Sequence, residues 1–223
     1  GESPNLGDTN NTNSTGGTGT RALFGGGYAS PTTRDVIDYI TIDTLGNAQD
    51  FGDLTLARYA PAAAADRTRG LWGGGNPTSD TIDFVTIAST GDATDFGNLT
   101  VGRRGISAIA NSTRSVFAGG FGSPTRVDTI DYVTIQSTGN AADFGNLIAA
   151  NNNIGTCQSS VRGIIAGGQA PGNINTIQYI TTSTTGNAQD FGDLTAAMSD
   201  AVGCGNATRG VHGGGLTPSK VNT

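Results

Sequence analysis

The sequence predicts an all-β fold, a β-propeller of four-stranded antiparallel blades, and three observations carry that prediction. A unit of about 47 residues recurs, opening at RALFGGG (Arg21), RGLWGGG (Arg69), RSVFAGG (Arg114), RGIIAGG (Arg162) and RGVHGGG (Arg209), with spacings of 48, 45, 48 and 47. Such self-similarity marks a repeat architecture and is read before any single element. Within each unit, short runs of β-branched and aromatic residues are bounded by Gly, Asn, Ser or Pro, which describes strands rather than helices. The composition agrees, with 36 Gly and abundant Thr, Asn and Asp supplying many turns.

Four strands are expected per unit. Strand B runs from the repeated Arg to the glycine pair. Strand C is DVIDYITI, DTIDFVTI, DTIDYVTI and NTIQYITT, ending at Ile42, Ile87, Ile135 and Thr182. Strand D lies in GNAQDFGDL, GDATDFGNL, GNAADFGNL and GNAQDFGDL, which hold Phe51, Phe96, Phe144 and Phe191 in one register. Strand A is a small-residue stretch before the next Arg, such as Ala60 to Ala65 or Gly105 to Ala110. In strand C, Ile37, Tyr39 and Thr41 face one way and Asp38, Ile40 and Ile42 the other, so both faces carry apolar bulk and both need cover. Radial stacking of four-stranded sheets supplies it. A β-solenoid is the alternative, with rungs that are usually shorter and lack four separate turn signals.

The chain is read as one domain over residues 1–223, with an irregular, polar N-terminal segment over 1–20 in which Leu6 keeps register with Leu54. Four units are complete in strands B, C and D, and the fifth stops at Val221-Asn222-Thr223. A ring of five blades is expected, its last blade joining strands from the C-terminus to N-terminal residues. The alternatives are a piece of a larger propeller or closure by a second chain.

Charge excludes several functions. With 11 Arg, the single Lys220 and 18 acidic residues, the net charge is −6, which offers no stripe for a phosphate backbone, so no nucleic-acid partner is expected. No apolar run approaches the roughly 20 residues that cross a bilayer, so no membrane insertion is expected. Cys157 and Cys204 are too few for a disulfide framework.

Motif by motif, the chemistry favours scaffold. The DFG at Asp50, Asp95, Asp143 and Asp190 lacks the companion HRD and VAIK motifs of a kinase and recurs once per unit. The glycine runs lack the GK[ST] ending of a phosphate loop. NAQDFGD does not match a calcium loop, and its Asn and Asp suit turn capping. Arg21, Arg69, Arg114, Arg162 and Arg209 begin strand B and the DFG aspartates begin strand D, so an Arg–Asp ladder at one face is expected. His212 takes the strand-B place of Phe24, Trp72, Phe117 and Ile165 and reads as a packed core residue, too little for a copper site. Neither metal nor cofactor is expected. A carboxylate pair for glycoside hydrolysis stays open, since every unit carries acids.

What varies within the chain points elsewhere. The A–B and C–D turns are nearly constant, whereas the B–C and D–A connections differ in every unit and emerge on one face. That face carries Tyr28, Arg34, Arg58, Tyr59, Arg103, Arg104, Phe121, Arg126 and Asn151 to Asn153, the aromatic and guanidinium chemistry of recognition on loops over a rigid scaffold.

This order of strands, with a GG-ended hydrophobic strand, an aromatic strand and aromatic-x-x-Leu, resembles the kelch repeat over residues 21–215. The unit is a divergent one: kelch units usually carry Trp where this chain has Phe51, Phe96, Phe144 and Phe191, and Arg opens strand A only at Arg58 and Arg103. The stretch YITI-x-STGNA-x-DFGDLT is also similar to repeats in tail-fibre and virion proteins of marine phages. The resemblance implies a non-catalytic binding module on a virion or cell surface, contacting a glycan or protein receptor and able to self-associate or enter a larger virion assembly. A spacer without a ligand is the second expectation, and a propeller hydrolase or oxidase the third.

Overall fold

The computed structural model describes residues 14–15, 20–206 and 208–217, and among them every regular element is a strand. The strands form four antiparallel four-stranded sheets and one hairpin, each in simple sequential order. The first sheet holds β1 (Ser14–Thr15), β2 (Arg21–Ala29), β3 (Thr32–Thr41) and β4 (Gln49–Asp53). The second holds β5 (Ala62–Ala65), β6 (Arg69–Gly73), β7 (Ser79–Thr86) and β8 (Thr94–Arg103). The third holds β9 (Ser107–Ala110), β10 (Arg114–Ala118), β11 (Thr129–Thr134) and β12 (Ala142–Asn146). The fourth holds β13 (Gly155–Gln158), β14 (Arg162–Ala166), β15 (Thr176–Thr181) and β16 (Gln189–Asp193), and the hairpin is β17 (Val202–Gly205) with β18 (Gly210–Gly213). Strands A to D thus form as the sequence predicts. The expected completion of the last sheet by N-terminal residues falls mostly outside the described residues; Ser14 and Thr15 pair with Phe24 and Leu23 of the first sheet.

Sheets stack face to face, and each interface has its own core. Leu23, Ile37 and Phe51 meet Trp72, Val85 and Ile87 between the first and second sheets. Leu71, Ile82 and Phe96 meet Phe117, Val133 and Ile135 between the second and third. Val116, Ile130 and Phe144 meet Ile154, Ile165 and Ile180 between the third and fourth. Small residues permit the close approach. A Cβ on Gly25 would lie 2.8 Å from the Trp72 ring, and one on Gly73 2.6 Å from Phe117. The small-residue strands β1, β5, β9, β13 and β17 adjoin one another in that order, so one edge of the stack is lined by strand A throughout.

The DFG motif is a β-bulge. Ile37 pairs with Gly52 and Asp38 with Asp50, leaving Phe51 as the extra residue, and the same shift recurs at Phe96, Phe144 and Phe191. The bulge turns each Phe edge-on against the strand-C ring, with centroids at 5.8 Å (Tyr39–Phe51), 5.7 Å (Phe84–Phe96), 5.9 Å (Tyr132–Phe144) and 6.1 Å (Tyr179–Phe191). It also presents backbone to the next sheet. Gly91 N–H donates to Phe51 O and Ala93 N–H to Asp53 O, both at 2.7 Å, while Asp92 Oδ1 accepts from Asp53 N–H at 3.1 Å. Gly139, Asn140 and Ala141 repeat this on Phe96 and Asn98, and Gly186, Asn187 and Ala188 on Phe144 and Asn146. The constant C–D turn is therefore the latch between neighbouring sheets.

Among the described residues β16 carries no such latch. Phe191 is 55% exposed where its three counterparts are 2% exposed. Gly97 (φ +141°) and Gly192 (φ +140°) share one backbone conformation, yet a Cβ on Gly97 would strike Gly139 and Asn140, whereas one on Gly192 meets nothing within 4 Å. Gly97→Ala should therefore cost about 3 kcal/mol or more, from backbone strain plus the lost latch, and Gly192→Ala about 1–2 kcal/mol from strain alone. Chemical denaturation of the two variants side by side measures the difference; equal losses would show that the latch carries no energy.

Candidate functional site

Two guanidiniums expected on the recognition face lie in the core instead. Arg58 and Arg103 are both 0% exposed, and each forms a 2.8 Å ion pair, with Asp83 and Asp131 respectively. Arg58 Nη2 also donates to Trp72 O at 3.1 Å, and Arg103 Nη2 to Phe117 O at 3.2 Å. The same carboxylates accept from Thr55 and Thr100, through hydroxyl bonds of 2.5 Å, so each pins the connection arriving from the preceding sheet. Burial lowers the pKa of both arginines while the paired aspartates oppose that shift. A side chain sealed in this way touches no ligand. In the fourth sheet the pair is replaced on both sides by neutral amides: Asn151 donates to Gly167 O at 2.8 Å, and Gln178 Oε1 accepts from Ile148 N–H at 3.0 Å.

The ladder between the repeated arginines and the DFG aspartates does not form. Arg21, Arg69, Arg114 and Arg162 lie over Tyr39, Phe84, Tyr132 and Tyr179, with the guanidinium carbon 4.4 to 4.7 Å from the ring centroid. The first three also reach the next sheet, donating to Ile87 O, Ile135 O and Ser183 O at 2.9 Å. Asp50, Asp95, Asp143 and Asp190 are exposed to solvent, which hydrates a carboxylate at no cost. Arg209 is exposed as well.

The remaining face residues come together in a row. One residue follows the glycine pair in each unit: Tyr28, Asn76, Phe121, Gln169 and Leu216. Four of these form isolated antiparallel bridges with residues of the D–A connections, Asn76 with Tyr59, Phe121 with Arg104, Gln169 with Asn152 and Leu216 with Ser199. Each bridge has two backbone hydrogen bonds of 2.7 to 3.2 Å. Side chains link neighbouring bridges. The Tyr28 ring, 59% exposed, lies 5.4 Å from the Tyr59 ring. Arg104 stacks on Phe121 at 5.0 Å and donates to Asn76 Oδ1 at 3.0 Å. Arg126 donates to Asn152 Oδ1 at 2.7 Å and to Gln169 Oε1 at 2.8 Å. Asn173 Nδ2 donates to Leu216 O at 2.5 Å. Arg34 is exposed beside this row on the β2–β3 hairpin. Asn76, Gln169 and Asn173 were not singled out from sequence, although two of the three sit at the one variable place after each glycine pair.

Catalytic chemistry finds little support around the sulfur and imidazole groups. Cys157 Sγ lies 3.5 Å from His212 Nε2, but burial, aided by nearby Cys204, pushes the thiol up to about 11, and burial lowers the His212 pKa. Both shifts favour neutral partners, the opposite of a thiolate–imidazolium pair. Among the described residues no group of three or more His, Cys, Asp or Glu is placed to hold a metal ion.

Comparison with protein-family profiles gives no match for this chain, and comparison with curated proteins gives no significant match.

Replacing one member of the buried pair, as in Asp83→Gln or Arg58→Asn alone, should destabilise the protein by about 3–5 kcal/mol by stranding a charge, and the two substitutions combined should recover part of that loss. A double-mutant cycle in urea tests this. For His212, the unfolded chain at its ordinary 6.5 takes up a proton that the folded chain resists. Stability is therefore greatest above that value and falls as pH drops through it, and His212→Gln should flatten the slope between pH 7.5 and 5.5 in thermal melts.

Proposed function

We propose that this chain is a non-catalytic recognition module whose variable row binds a glycan. The observation that supports the reading is the contrast at the bridges. Their backbone geometry is the same in four units, while their side chains are Tyr and Asn, Arg and Phe, Asn and Gln, Ser and Leu. The backbone bonds hold each position whatever the side chain, so side-chain identity is free to serve binding. The chemistry suits sugars: exposed Tyr28 and half-buried Tyr59 offer ring faces for apolar sugar edges, and Arg104, Arg126 and the amides of Asn76 and Gln169 offer planar hydrogen-bonding groups held by partners. Fixed partners lower the ordering cost on binding.

In this reading the stack curves into a kelch-like propeller of about five blades, with the variable row around one mouth. The adjoining small-residue strands support it, since short side chains on one edge let sheets converge there. The setting proposed is a virion or a cell surface, as the resemblance to phage tail-fibre repeats implies.

Glycan-array binding followed by titration of the best ligand is the test. Tyr28→Ala with Tyr59→Ala, and separately Arg104→Ala, should each weaken binding about tenfold, the equivalent of about 1.4 kcal/mol, with melting temperature little changed. A silent array, or affinity untouched by these variants, would refute the reading. The alternative is an assembly element without its own ligand.

A further inference from the structure

Two arginines of the variable row stand beside one ring with no acid between them. Phe121 bridges Arg104 on one side and Arg126 on the other, and residues opposed across such bridges share one face. The Arg104 guanidinium lies over the Phe121 ring. Among the described residues neither arginine is ion-paired, in a chain with 18 acidic residues. Their side-chain acceptors are amide oxygens, that of Asn76 for Arg104 and those of Asn152 and Gln169 for Arg126. An amide fixes the orientation of a guanidinium but cancels none of its charge. Of five N–H donors each, Arg104 uses one in these bonds and Arg126 two, which leaves the rest for a further acceptor.

The next unit builds the same geometry without charge. There Gln169 bridges Asn152 and Asn173, in the places of Phe121, Arg104 and Arg126. Asn173 reaches Leu216 of the following unit as Arg126 reaches Gln169. Neutral side chains thus suffice for the bridges and for the link along the row, and the two positive charges are surplus to the scaffold. Where an arginine serves the core, by contrast, a carboxylate neutralises it. We infer that Arg104 and Arg126 bind the anionic group of an acidic sugar, a carboxylate or a sulfate ester. This rests on the reading of the row as a glycan-binding surface and names its ligand class. Guanidiniums hold such oxyanions through paired, charge-assisted hydrogen bonds, and the amide and ring contacts set both side chains in place beforehand. Salt screens the repulsion from the net charge of −6 beyond about 8–10 Å, so contact with the two guanidiniums decides. Asn76 joins Arg104 to the Tyr59 bridge, which puts the Tyr28 and Tyr59 rings next along the row for an adjoining neutral sugar.

The test is an array of sialylated, uronic-acid, sulfated and neutral oligosaccharides probed with the full chain, which should give its strongest signals on acidic sugars. The class that binds separates carboxylate from sulfate. The best acidic ligand is then titrated beside its carboxyl-reduced or desulfated form, which keeps the sugar skeleton and loses the anion, and that loss should weaken binding about tenfold or more. Arg104→Gln keeps a planar hydrogen-bonding group at an exposed position. It should weaken the acidic ligand about tenfold, with the melting temperature near the parent's, and the neutralised ligand by less than about twofold, because the charge it would meet is already gone. Arg126→Asn, which installs the residue found at this place in the next unit, should behave in the same way. A preference for neutral sugars, or equal losses on both forms of the ligand, would overturn the acidic assignment and leave the glycan reading standing. A poly-glutamate peptide that binds as tightly as the best acidic sugar would also overturn it, by assigning the arginines to acidic protein surfaces. An array silent for acidic and neutral sugars alike would overturn both readings.

Discussion

Contact between successive sheets runs through the bulge at Phe51, Phe96 and Phe144. One extra residue does three things there. It swings an aromatic ring edge-on against the strand-C ring, whose face carries the guanidinium, in each sheet. It forces the following glycine to positive φ, from +140° to +147° over the four sheets, a conformation that L side chains rarely adopt. And it frees a carbonyl for the neighbouring turn. Asp-Phe-Gly followed by Asp or Asn is thus fixed by geometry, and the motif recurs because the interface recurs. Stability follows the same logic. Each sheet meets only its neighbours, so the stack behaves as a one-dimensional array whose interfaces contribute separately.

The buried Arg–Asp pairs act at a different place. Arg58 and Thr55 arrive from the end of one unit and converge on Asp83 of the next sheet, so the carboxylate fixes where the chain crosses. Buried ion pairs often stabilise little compared with neutral replacements, because desolvation offsets attraction. Asn151 and Gln178 in the fourth sheet fit that balance: the charge leaves from both sides together and neither residue is left ionised in the core. What persists is a crossing point held by hydrogen bonds to backbone, with charge as one way to make it.

Much of this was legible in the sequence. The repeat located the strands of every complete unit, because period-two patterns and glycine turns are local signals repeated four or five times. The arginine partners were not legible. Strand ends place Arg21 and Asp50 at the same end of the sheet, but the ring of Tyr39 on the adjoining strand lies closer, and a carboxylate at the sheet surface is better hydrated than paired. The true pairing did leave a trace: Arg58 occurs with Asp83, Arg103 with Asp131, and Asn151 with Gln178, a change on both sides at once within a single chain. The misassignment of Arg58 and Arg103 to the recognition face has the same origin. They adjoin Tyr59 and Arg104, and one residue's difference in an extended chain reverses the direction of a side chain.

That alternation separates core from face along three D–A connections. Arg58 points inward to Asp83 while Tyr59, next in sequence, bridges Asn76 on the face; Arg103 and Arg104 divide in the same way, as do Asn151 and Asn152. The inward residue is constrained by what it must pair with, so it changes only with its partner. The outward residue is held by backbone bonds that ask nothing of its side chain, and it is Tyr59, Arg104 and Asn152 in successive units, while the corresponding Ser199 of the next unit is buried. A repeat built this way can change the side chains of one face one sheet at a time without disturbing the stack beneath it. Ordinary drift would also vary such positions, but drift alone gives no reason for Arg104 to stack on Phe121 and reach Asn76, or for Arg126 to grip two amides at once. Those contacts hold long, flexible side chains in fixed orientations at a partly exposed surface, which costs side-chain entropy of about 1–2 kcal/mol for each arginine. The proposed recognition role would account for that ordering.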